Sequence, residues 1–231
     1  MAKKREFGEG PFHLITNLIF WFVLSNIYFI ICILPFAIYV ILTLMTEDPL
    51  QSFKETTLIL YVLSLFVGPA LAALYSTMGK FIREQDLEPT KDYFKYYKMN
   101  FKQSFIVWGI QMTANFLMYI NMIFYDQFSF GTYIKPVIII MLVLINFLSL
   151  VSLPILSRFY FKLKDLYKCS FYYGIKKIYA IVGNVVIFFV LYIILAYISQ
   201  LLLFVFSIFA YFVMLVYTPM LKDIEKIVKK A

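Results

Sequence analysis

Five stretches of the chain carry no charged side chain: residues 14–45, 56–79, 103–125, 136–157 and 178–221. Each reaches the roughly 20 residues that take a helix across a hydrocarbon layer about 30 Å thick. The last is too long for one crossing and reads as a tight hairpin turning near Ser199 and Gln200. It divides into spans at about 178–199 and 201–221, so the pattern predicts six transmembrane helices. The first run exceeds what one crossing needs. Either its start lies along the interface, which Gly10-Pro11 favours, or Pro35 kinks it. It is also longer than the apolar core of a cleavable signal peptide, so it reads as a retained span.

Composition agrees with the pattern. The chain is 63% hydrophobic and 15% charged, with a mean hydropathy of +0.84, where soluble domains are nearer half apolar and a quarter charged. The expected fold class is therefore an all-α membrane protein, one integral membrane domain over residues 1–231.

Charge changes the picture by adding direction. The net charge of +8 could suggest nucleic acid, but its distribution points elsewhere. With the N-terminus inside, the inner segments hold Lys3, Lys4 and Arg5, then the basic residues from Lys80 to Lys102, from Arg158 to Lys177, and from Lys222 onward. Of the 21 basic residues only Lys54 and Lys135 fall on the other side, beside Glu47, Asp48, Glu55 and Asp126. This is a positive-inside arrangement with both termini cytoplasmic, and it predicts no nucleic-acid partner.

The densest charge lies in residues 68–105, between the second and third spans. Pro89-Thr90 marks a helix start, with Thr90 as N-cap and Asp92 in the first turn. Lys91, Lys95, Lys98 and Lys102 follow at spacings of 4, 3 and 4, so they share one helical face. Tyr93, Phe94, Tyr97 and Phe101 cover most of the opposite side. Such a helix is expected to lie along the cytoplasmic surface against anionic lipid headgroups, or to dock a partner. With Asn100, and with Arg158 and Lys162 of the second inner loop (158–177), these lysines and the rings of Tyr93, Tyr97 and Phe101 are the candidate partner or headgroup contacts.

Prolines punctuate the inward-running spans at Pro69, Pro154 and Pro219, which suggests three helical hairpins of similar build. Gly68 and Pro69 open a stretch of small residues, Ala70, Ala72, Ala73, Ser76 and Gly79, which reads as a close-packing face or a kink. In span three, Gln111, Asn115 and Asn121 are candidates for hydrogen bonds across helices.

Candidate chemistry is sparse. No Asp, Glu, Lys or Arg sits centrally in a span, and the single histidine, His13, lies at a span's edge. Proton- or ion-coupled transport generally uses such intramembrane groups. There is no P-loop, HExxH, GxSxG or CxxC motif. Cys32 and Cys169 fall on opposite sides and are not expected to pair. No catalytic residue, metal ligand or cofactor is expected, and an enzyme is not predicted.

Span one with Asn17 and Leu34-Pro35, then GPALAALYSTMGKFIREQ, DYFKYYKMNFKQS and SRFYFKLKDLYKCSFYYGI, resemble the YesL-like bacterial membrane proteins over roughly residues 8–185. That resemblance implies about six spans, no established catalytic residue, and genes commonly beside carbohydrate importers of the ATP-binding-cassette (ABC) type. The expected function is a non-catalytic membrane subunit of such an importer in the bacterial cell membrane, contacting the permease from the cytoplasmic side. A stand-alone transporter or channel for a neutral solute, and a membrane partner of a sugar-sensing histidine kinase, are the alternatives.

Overall fold

The structure, a computed structural model, describes residues 11–125, 131–197 and 204–229. The basic leader with Lys3, Lys4 and Arg5, the turn beginning at Asp126, and the hairpin turn at Ser199-Gln200 lie outside the described residues. Among the described residues there is no strand. The first half of the chain forms α1 (Pro11–Cys32), α2 (Leu34–Leu44), α3 (Pro49–Glu55), α4 (Thr57–Ser64), α5 (Val67–Glu84) and α6 (Pro89–Tyr125). The second forms α7 (Gly131–Leu156), α8 (Leu163–Lys176), α9 (Ile178–Tyr197) and α10 (Val205–Val228).

Four apolar stretches, Thr57–Glu84, Pro89–Tyr125, Tyr133–Leu156 and Val205–Val228, are long enough to cross a membrane, and six crossings result if each of two bent pairs counts as one. This is a multi-pass helical membrane protein. The bent pairs account for the runs that hydropathy leaves undivided. α1 and α2 meet at 77°, with Pro35 in the first turn of α2. A proline there has no N–H to give and its ring would collide with the carbonyl of Ile31, so the helix stops and restarts. α2 alone is about 16 Å long, roughly half the hydrocarbon thickness. The second bend, 85°, separates α8 from α9.

Two expectations need correction. Residues 158–177, expected as a loop, contain α8, whose buried Leu166, Ser170, Tyr173 and Gly174 share one face against the bundle. The interfacial helix expected at residues 90–102 is not a separate element. It is the first third of α6, which continues unbroken into span three for 37 residues, about 55 Å. Nothing in the sequence after Lys102 breaks a helix, and Gln103 and Ser104 are buried and bonded, so the segment does not turn into the surface plane.

The three span prolines also sit in different settings, which argues against a shared hairpin build. Pro69 starts α5 after a break at Leu65 and Phe66. Pro154 lies just before the end of α7, and Pro219 lies within an α10 that runs on to Val228.

α5 is the centre of the bundle, packed against α1, α6, α7 and α10. Its residues from Gly68 to Ala70, then from Ala72 to Gly79, and Phe81, are all buried. Small side chains let neighbouring backbones approach. The closest approach is at Gly68, where an added Cβ would lie 2.3 Å from Cβ of Trp108. The break ahead of α5 leaves the carbonyl of Ser64 without a helical partner, and the Trp108 indole N–H donates to it at 2.8 Å. At the start of α10, Oδ1 of the buried Asn26 accepts from the backbone N–H groups of Phe206 (3.1 Å) and Ser207 (3.3 Å). A side chain of α1 thus serves as the N-terminal cap of α10.

Candidate functional site: the lysine row and the polar seam beneath it

The four lysines predicted to share a face do so. Lys91, Lys95, Lys98 and Lys102 are all exposed along the first half of α6. The other side of the same turns is a polar seam directed into the bundle. Asp92 is buried and accepts from the ammonium of Lys80 at 2.7 Å and from the backbone N–H of Glu88 at 2.9 Å. One carboxylate therefore joins the C-terminal end of α5 to the first turn of α6. Further along, the Asn100 amide donates to Ser76 Oγ (2.9 Å), and Ser76 Oγ donates to the carbonyl of Ser157 (2.7 Å). The Gln103 amide donates to the carbonyl of Phe161 (2.5 Å). α5, α6 and the end of α7 are tied by bonds to carbonyls that have left their helix.

This geometry divides the predicted contact residues. Tyr93 is fully buried, and its hydroxyl donates to the carbonyl of Ala70 at 3.2 Å. Asn100 is 7% exposed and committed to Ser76. Neither presents a surface, which corrects the expectation for both. The side of α6 opposite the lysines faces α1 and α5, so Tyr93 packs inward against Tyr28, while Phe94 touches Tyr28 and stays exposed. Tyr97 and Phe101 are half-buried in a ladder of rings, Tyr97 stacked on Tyr93, Phe101 stacked on Phe105, and the two meeting edge to face. Lys162 is exposed immediately before α8. Arg158 is half-buried and ion-paired to Glu225 of α10. Burial and the neighbouring Arg83 push the Arg158 guanidinium down from its ordinary value, and Glu225 opposes that shift. Lys229 holds the other oxygen of Glu225 at 2.8 Å, and Lys177 pairs with Asp223 at 3.1 Å.

The structure therefore sorts the basic residues into two kinds. Lys80, Arg158 and Lys177 are internal ties between helices, and the α6 lysines project from the surface. Gly68 and Pro69 serve packing at the α5 entry. Of the amides in span three, Gln111 donates to Ser152 of α7 (2.9 Å) and Asn115 accepts from Asn146 of α7 (2.9 Å). Asn121 returns to Leu117 of its own helix (2.7 Å). The ties made by Lys80, Asp92 and Ser76 went unrecognised in the sequence. A signal existed for the first pair, since a lysine and an aspartate flank the short connection between two helices that must pack antiparallel.

Among the described residues no three His, Cys, Asp or Glu side chains gather as a metal site, and both cysteines are free.

Residues 13–122 match a family described as "Protein of unknown function, DUF624", to which the YesL-like proteins belong. The match takes in α1 to α5 and nearly all of α6, and so includes GPALAALYSTMGKFIREQ and DYFKYYKMNFKQS. It ends before α7 and leaves SRFYFKLKDLYKCSFYYGI outside, short of the coverage to residue 185 expected from the sequence. No curated protein and no solved structure matches the chain.

Proposed function

We propose that this protein is a non-catalytic membrane subunit of a bacterial ABC-type carbohydrate importer, docked on the permease in the cell membrane with its lysine row on the cytoplasmic side. The observation that carries the docking part is the division of α6. Lys91, Lys95, Lys98 and Lys102 are exposed in register along a helix whose other face is fixed by the Asp92 and Asn100 bonds. A row of cations on a backbone that does not rearrange is preorganised for an acidic surface, which lowers the ordering cost of binding. The carbohydrate importer as partner rests on the resemblance to the YesL-like proteins.

The test is affinity purification of the tagged protein from its own membrane in mild detergent, followed by identification of what accompanies it. The permease subunits are expected. Added salt should weaken the complex, and replacing the four lysines by glutamine should release the permease without added salt. A chain recovered alone under the mildest conditions overturns the reading.

A further inference from the structure

On the half of the bundle away from the lysines, α2, α3, α4 and the second half of α6 line an open cavity of about 430 Å³. That volume is within the range of about 300–1,000 Å³ typical of small-molecule sites. Phe36, Tyr61 and Phe116 form much of its wall, with Tyr61 and Phe116 stacked at 4.8 Å between centroids. Thr57, Ser64 and Asn115 also reach it, and their polar atoms are engaged elsewhere. Thr57 Oγ1 donates to the carbonyl of Phe53 (2.8 Å), and Ser64 Oγ to that of Tyr61 (2.7 Å). The Tyr61 hydroxyl shares a hydrogen bond with Thr113 Oγ1 (2.8 Å). Asn115 donates to the carbonyl of Gln111 (2.8 Å) and accepts from Asn146 (2.9 Å).

A sugar entering this space would exchange its hydrogen bonds to water for walls that, the Tyr119 hydroxyl apart, carry polar groups already bonded within the protein, which is unfavourable. An apolar chain would lose nothing. Leu58, Val62, Leu117 and Ile120 are exposed on the same helices, so the surface around the cavity is one that hydrocarbon covers. We propose that the cavity between α2, α4 and α6 holds the acyl chain of a bilayer phospholipid. This inference does not depend on the importer reading.

The chain carries its own reporter. Trp108 donates its indole N–H to the carbonyl of Ser64, a cavity residue, and Trp21, the second of two tryptophans, packs against Phe81 at 5.4 Å in the other half. In a Trp21→Phe background, the full chain in mild detergent is titrated with phospholipid brominated on its acyl chain. Quenching of Trp108 should saturate at one lipid per protein. Thr57→Phe, which places a ring in the cavity, should weaken it about tenfold. Ile139→Phe, at an exposed position of α7, should leave it unchanged. Circular dichroism confirms that the variants fold, and Leu60→Phe replaces Thr57→Phe if the latter does not. Quenching that rises without saturating, that survives the cavity-filling variant, or that a neutral oligosaccharide reverses would overturn the proposal.

Discussion

α5 and α9 are both apolar helices of similar length, yet they occupy opposite positions in the molecule. α5 is buried along most of its length and touches five other helices. α9 buries only Ala180, Ile181 and Asn184 among its described side chains, and exposes Val182, Val186, Phe189 and Ile193. The more apolar of the two, α9, is the one left at the surface, because lipid satisfies a valine as well as a neighbouring helix does. What separates them is size and hydrogen bonding. α5 is built of Gly, Ala, Ser and Thr and carries the groups that tie it to α6 and α7, whereas α9 carries branched and aromatic side chains that fill a lipid boundary. In a membrane, centrality is set by small residues and polar ties rather than by apolar content.

That comparison can be broken most directly at Gly68. A leucine there must displace Trp108, to which even a Cβ would be 2.3 Å distant, so Gly68→Leu is expected to cost more than about 3 kcal/mol and to abolish the folded state in detergent. Gly79→Ala meets the ends of two flexible side chains, Cε of Met214 at 2.8 Å and Nη1 of Arg83 at 3.3 Å, and its thermal midpoint should stay close to that of the parent. Next in size is Asp92→Ala. It leaves Lys80, whose side chain is 19% exposed, without its main partner, and a loss of about 3 kcal/mol is expected by thermal unfolding. The double variant Lys80→Met with Asp92→Leu should recover most of that loss. If it does not, the pair does more than neutralise a charge. Asn100→Ala removes one interhelical hydrogen bond and should lower stability by about 1 kcal/mol. The smallest effect belongs to α9, where Val186→Ala should change stability by less than about 0.5 kcal/mol. A large loss there would mean that α9 is covered by protein rather than lipid.

The same distinction explains what the sequence reveals and what it conceals. Uncharged length is directly legible, so residues 56–79, 103–125, 136–157 and 201–221 correspond to helical crossings, the last within the described residues. The lysine row was legible too, because a 4-3-4 spacing admits only one face of a helix. The fate of the opposite face was not. An aromatic stripe opposite lysines reads identically whether it meets a membrane surface or another helix. Tyr93 and Asn100 turned inward because α1 and α5 lie over them, and that contact is non-local. Residues 158–177 read as a loop because their charge masks a helical face of Leu166, Ser170 and Tyr173. The cavity between α2 and α6 had no signal at all, since it depends on the bend at Ile33 bringing Phe36 toward Tyr61 and Phe116.

The cap that Asn26 places on α10 bears on how the chain is made. Residue 26 emerges well before Phe206 in synthesis, separated by about 180 positions. The amides at the head of the final helix thus have to wait inside lipid, unsatisfied, until they find a partner inserted long before them. α1 is in effect a reserved seat for the leading turn of α10. A chain lacking α1 should insert α10 yet leave its leading turn frayed, so a side chain of α1 acts as the proofreader of α10.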